Sequence, residues 1–104
     1  MINVTKHGKK RIKQRCGIPK KAADRLSDKA FRNGITHSEC SGSLKRYLNY
    51  LWEYNHTANN MRIYANKVFI FVDETNVTVL NLPRKYYETV KKIKEARYAA
   101  KNDS

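Results

Sequence analysis

The apolar residues of this chain change their period once, and that change most constrains the fold. Up to about residue 55 they recur at spacings of three and four. After a polar link, His56 to Asn60, the runs MRIYA, KVFIFVD and NVTVLNL are rich in β-branched and aromatic residues, as strands are. Ala65-Asn66 and Asp73 to Asn76 supply turn residues, so the three runs read as an antiparallel β-meander. The middle run, Val68 to Val72, is apolar on both faces, which places it at the centre of the sheet with a layer on each side. Pro83 ends the sheet.

Four helices flank these strands. The first covers about residues 5–16, with Thr5 or Asn3 as N-cap and Gly17 as the stop. Pro19 opens the second, over 19–33, where Ala22, Ala23, Leu26, Ala30 and Phe31 form one face and Gly34 occupies the position of a left-handed C-terminal residue. The polar stretch ITHSECSG leads to a third helix over 43–55, with Leu44, Tyr47, Leu48, Leu51 and Trp52 on one side. A fourth covers 84–100 with Tyr86, Val90, Ile93 and Arg97 along one stripe, and a frayed polar tail follows from Lys101. The order ααα–βββ–α predicts an α+β domain in which N-terminal helices pack on a small antiparallel meander, one domain spanning residues 1–104.

Charge narrows the function. Lysine and arginine number 22 against 9 acidic residues, a formal charge of +13, so the expected partner is a polyanion, nucleic acid. No window reaches the apolar length of a bilayer span, and the N-terminus lacks a signal-peptide core, which predicts a cytoplasmic protein with no membrane partner. Cys16 and Cys40 lack CxxC spacing, and His7, His37 and His56 form no HxxxH or HExxH pattern. No metal site or cofactor is expected, and the thiols read as buried or idle.

The basic run KHGKKRIKQR divides into two sets when wound as a helix. With Val4 at zero, Ile12 falls at about 80°, and His7, Arg11 and Arg15 at about 300°, 340° and 20°, beside the apolar face. Lys6, Lys9, Lys10 and Lys13 cluster between about 140° and 240°, on the solvent side, as a general phosphate-attracting surface. A cation turned inward must meet a carboxylate, backbone carbonyls or an anion. Arg15 could be neutralised by Asp24, Asp28 or Asp73; alternatively the row converges on an anion site, for which the arginine fork is suited.

This run, the helical hairpin in the middle and the strands ending in VTVLNLP resemble small domains of the barnase, EndoU, colicin and RelE-like ribonuclease superfamily, closest to a group of short phage and prophage proteins. The likeness covers most of residues 4–83. It implies an N-terminal helix bearing H-x3-R-x3-R on a meander sheet, with His7, Arg11, Arg15 and a late-strand Thr78 as the catalytic set, and RNA in preference to DNA as the partner. Arg62 and Tyr64 would lie on the strand lining the groove, where Arg62 clamps an adjacent phosphate and Tyr64 stacks on a base or donates its phenolic proton. The helix carrying SLKRYLNYLW is longer and more aromatic than the family pattern, and the 84–100 helix is an extension. An exposed ring among Tyr47, Tyr50, Trp52 and Tyr54, beside Lys45 and Arg46, would suit an added role in binding single-stranded bases.

Two functions follow as expectations. The first is a metal-independent endoribonuclease, including a toxin that arrests growth: histidine titrates near neutrality and can take or return a proton, while arginines stabilise charge on phosphorus. The second is a non-catalytic phage accessory protein or anti-CRISPR-type inhibitor that occupies a nucleic acid or a host nucleoprotein complex through its basic surface.

Overall fold

The computed structural model describes residues 2–54 and 58–102, and it combines four helices with a five-stranded mixed sheet. In chain order the elements are β1 (Asn3–Val4), α1 (Lys6–Cys16), α2 (Ala23–Asn33), β2 (Ile35–Thr36), α3 (Gly42–Tyr54), β3 (Asn60–Tyr64), β4 (Lys67–Val72), β5 (Thr75–Asn81) and α4 (Tyr87–Asn102), with 3₁₀ turns at 20–22, 37–39 and 84–86. His56 and the side chain of Tyr54 lie outside the described residues, as do residues 103 and 104 of the expected tail and the side chains of Lys101 and Asn102, whose backbone continues α4.

The meander β3–β4–β5 forms as expected, antiparallel throughout. Ala65 and Asn66 make its first turn with φ of 51° and 60°, and Asp73 enters the second with φ of 53°. Two further strands extend the meander at its edges: the sheet runs β1-β5-β4-β3-β2, with β1 parallel to β5 and β2 antiparallel to β3. Each added strand has only two residues, too few to show an alternating pattern. They are recruited because the outer edges of β5 and β3 would otherwise leave backbone donors and acceptors unpaired.

Helices cover both faces. Ile12, Ala23 and Ala30 from α1 and α2 pack with Phe69, Phe71 and Val79 on one side. Leu44, Leu48, Leu51, Tyr86 and Val90 pack with Met61, Ile63, Val68 and Ile70 on the other. Residues 68–71 of β4 therefore point alternately into two cores, and all four are fully buried. The first three helices do not form one layer: α3 crosses to the face opposite α1 and α2, beside α4.

Local signals explain the helix ends. Thr5 Oγ1 accepts from the Gly8 backbone N–H at 3.0 Å, and Gly17 closes α1 with a left-handed φ of 68°. Gly34 departs from expectation, with an extended φ of −66°. Glycine is required there for space, because a Cβ would stand 2.8 Å from Arg62 Cβ and against the Ala30 carbonyl; the chain must pass directly from α2 into pairing with β3. Both cysteines are free. Cys40 is buried, which raises its thiol pKa to about 11, and its Sγ donates to Thr36 O at 3.4 Å; Cys16 is half-buried and its thiol is also pushed up by burial. No helix among the described residues is long and apolar enough to cross a membrane.

Arg97 fastens α4 to the body. Its guanidinium pairs with both Glu39 carboxylate oxygens and donates to Asn33 O at 2.9 Å and Gly34 O at 3.0 Å, at the end of α2. That hydrogen bonding, with help from Thr36, holds the Glu39 carboxyl at about 2, below its ordinary 4.5. Because the folded-state value is depressed, the contribution to stability is complete above pH 4.5 and fades as pH falls toward 2. Arg97→Ala should cost about 2 kcal/mol, the scale of hydrogen bonds to charged groups, and should flatten the acid limb of the stability profile across that window. Urea titrations at several pH values measure both effects; an unchanged acid limb in the variant would show that this pair does not anchor the helix.

Candidate functional site

The site grows from how closely α1 lies on β5. Gly8 faces β5, and a Cβ there would stand 2.9 Å from both Asn76 O and Asn76 Oδ1. The same Asn76 carbonyl accepts from Thr5 N at 3.0 Å, as part of the β1 pairing. Glycine at this position lets the helix backbone approach the strand, and Ile12, one turn on, fills the space over Val79 and Phe69.

The strand contributes a second local feature. Ile70 pairs with Thr78 but Phe71 pairs with Asn76, so Val77 is the extra residue of a β-bulge. The fully buried Asn76 bridges the irregularity, its Nδ2 donating to Ile70 O at 3.3 Å and Thr78 O at 3.2 Å. Its Oδ1 has no hydrogen-bond partner among the described residues. A bulge re-aims the side chains beside it. Here Val77 and Thr78 join Leu80 in lining a hollow whose other wall is His7, Arg11 and Arg15, with a volume of about 400 Å³. Beyond Asn76, β5 has no further pairing with β1, and α1 runs along that open edge.

The three side chains of the helix are differently held. Arg15 is half-buried, and its Nη1 donates to Val79 O at 2.6 Å. Arg11 Nε donates to His7 Nε2 at 3.3 Å, and its Nη1 donates to Gln14 Oε1 at 2.9 Å. Among the described residues none of the three meets a carboxylate: Asp28 pairs with Arg32, Glu39 with Arg97, and Asp73 bonds Asn59. Of the two alternatives open for Arg15, the aspartate partner does not form, and the Nη1 bond goes instead to a backbone carbonyl of β5. Most of the guanidinium donors stay uncommitted, and the Thr78 hydroxyl makes no hydrogen bond among the described residues; its backbone carbonyl accepts from Asn76 Nδ2. His7 itself is exposed, at the rim of the hollow.

Other residues expected at the site lie elsewhere. Arg62 and Tyr64 do not reach this hollow, because β4 separates β3 from β5. Arg62 Nε and Nη1 donate to Phe31 O at 3.2 Å and Met61 O at 3.0 Å, and its guanidinium sits 4.8 Å from the Phe31 ring centre. Burial there lowers its pKa. The residue thus braces the end of α2. Tyr64 packs edge-on to Phe69, ring centres 6.4 Å apart, at the margin of the α1–α2 core. Lys6, Lys10 and Lys13 are exposed and Lys9 half-buried, while Lys45 and the exposed Arg46 stand on α3, which packs on the opposite face of the sheet. Among the described residues no three of His, Cys, Asp or Glu gather as a metal-binding group.

Sequence reasoning missed the walls formed by Val77 and Leu80, the Val79 carbonyl and the bridging Asn76. Asn76 did carry a signal, since asparagine is depleted in strand interiors. Comparisons with family models, with curated proteins and with solved structures returned no match for this chain.

Proposed function

We propose that this chain is a small basic nucleic-acid-binding protein that cleaves single-stranded or structured RNA without a metal, at the hollow between α1 and β5. One observation carries the reading: His7, Arg11, Arg15 and Thr78 share a single hollow that none of the described carboxylates enters. Arg11 Nε–H donates to the His7 Nε2 lone pair, which leaves the ring proton on Nδ1 in this arrangement. When a phosphodiester enters, Arg11 turns its donors to the phosphate oxygens and frees Nε2 to take the 2′-hydroxyl proton. The 2′-oxygen then bonds to phosphorus, the bond to the 5′-oxygen breaks, and the histidine returns the proton to that oxygen. The products are a 2′,3′-cyclic phosphate and a 5′-hydroxyl. Arg15, steadied by Val79 O, and the Thr78 hydroxyl hold the phosphate as its charge builds. The exposed lysines of α1 attract the backbone from a distance.

Incubating the purified protein with tRNA and total RNA at low salt in EDTA tests this reading. Fragments with cyclic phosphate ends support it, and intact RNA rejects it. The lysine surface, set apart from the hollow, favours a second reading as an inhibitor that occupies the nucleic-acid channel of a host complex. That reading requires salt-sensitive binding without cleavage and loss of binding when Lys6, Lys10 and Lys13 are replaced together.

A further inference from the structure

A second hollow, of about 520 Å³, lies on the other side of β4 from the first, where α3 and the turn after β2 meet β3. Its volume falls in the roughly 300–1,000 Å³ range of small-molecule pockets. The residues that shape it are Trp52 and Asn49 from α3, His37 and Ser38 from the turn, and Asn60 and Arg62 from β3. The sequence places Trp52 on one side of its helix with Leu44, Leu48 and Leu51, as core or rim. Those three are buried, whereas Trp52 lies at the margin of their stripe and remains 39% exposed. Its indole has no hydrogen-bond partner among the described residues.

The chemistry of this lining differs from that of the α1–β5 hollow. His37 Nε2–H donates to Asn49 Oδ1 at 2.6 Å, which orients the Asn49 amide and leaves its Nδ2 donors and one oxygen lone pair available. Arg62 is the one lysine or arginine on the lining, and two of its donors are already given to backbone carbonyls. Asp73, bonded to Asn59 on the lining, adds negative potential nearby, while Glu39 acts on Arg62 but is itself paired with Arg97. A phosphate is poorly served here. A flat, neutral ring with donors and acceptors on its edge is well served, by an exposed indole face and an amide.

We infer that this second hollow binds one unpaired nucleobase, stacked on Trp52 and read along its edge by Asn49. Asparagine's paired donor and acceptor suit an adenine edge, and stacking on an aromatic ring requires a base outside a duplex. The inference rests on RNA being the ligand, as proposed above, and adds that the RNA is held through an unpaired base.

Trp52 is the single tryptophan of the chain, so intrinsic fluorescence reports on this hollow directly. The probe is a fluorescently labelled 2′-O-methyl oligoadenylate hexanucleotide, which lacks the 2′-hydroxyl and cannot be cleaved by the route above. Saturable quenching of Trp52 is expected as it binds, with a duplex of equal length giving none. By anisotropy, Trp52→Ala should weaken binding about 5-fold or more, the lower end of base–aromatic stacking, and Trp52→Phe should restore most of it. Asn49→Ala should weaken binding while retaining residual quenching. Binding without quenching, a Trp52→Ala affinity within about two-fold of the original, or no binding at all would overturn the inference. Quenching by the hexanucleotide together with intact RNA in the cleavage assay would overturn only the ribonuclease reading.

Discussion

Replacing His7 with alanine is expected to lower RNA cleavage by about 10²- to 10⁴-fold, the range contributed by one general acid–base residue. The fold should be untouched. His7 is exposed, and its hydrogen bond is a 3.3 Å contact with Arg11, also on the surface of α1. Far-UV circular dichroism and thermal unfolding should therefore match the original while product formation collapses. Arg15→Lys makes a sharper comparison. A lysine keeps the charge and can reach toward Val79 O, but it has no second planar donor to turn on the phosphate. It should cleave more slowly than the original at every salt concentration, with RNA affinity little changed. A His7→Ala protein that cleaves at the original rate would remove the imidazole from the mechanism.

Gly8→Ala should lower stability by about 1–3 kcal/mol, the usual cost of overpacking, equivalent to a fall in Tm of roughly 5–20 °C for a chain of this size. On an isolated helix the same change would be favourable by up to about 1 kcal/mol, so the sign of the result is diagnostic. A new methyl group at 2.9 Å from Asn76 O must push α1 off β5. It would disturb the carbonyl that receives Thr5 N–H and the side chain that bridges the bulge. Because His7, Arg11 and Arg15 ride on that helix and Thr78 on that bulge, cleavage should fall more than the loss of folded protein explains. Thermal unfolding and the cleavage rate below the transition measure the two effects separately. A Tm that rises would mean α1 is not seated on the strand as closely as Gly8 indicates.

The two variants mark where sequence reading succeeds and where it stops. Winding KHGKKRIKQR at a hundred degrees per residue separates the arginine row from the lysines, and the row does line one hollow. That much follows from local geometry. Which acceptor Arg15 meets does not: three aspartates were available in the sequence, yet the partner is a carbonyl 64 residues away. Arg62 shows the same limit. Its place on a strand was legible, but its hydrogen bonds to Phe31 O and Met61 O depend on how α2 ends against β3.

The amino-acid order alone determined the helices, the three long strands, the central place of Val68 to Val72 and the cationic character of α1, because periodicity, caps and charge act over one or two turns of chain. Tertiary structure decided the two-residue edge strands, the bulge at Val77, the crossing of α3 to the far face and the exposure of Trp52. Each of these depends on which backbone groups and side chains remain unsatisfied after the long elements have packed, and that is settled between residues distant in the chain.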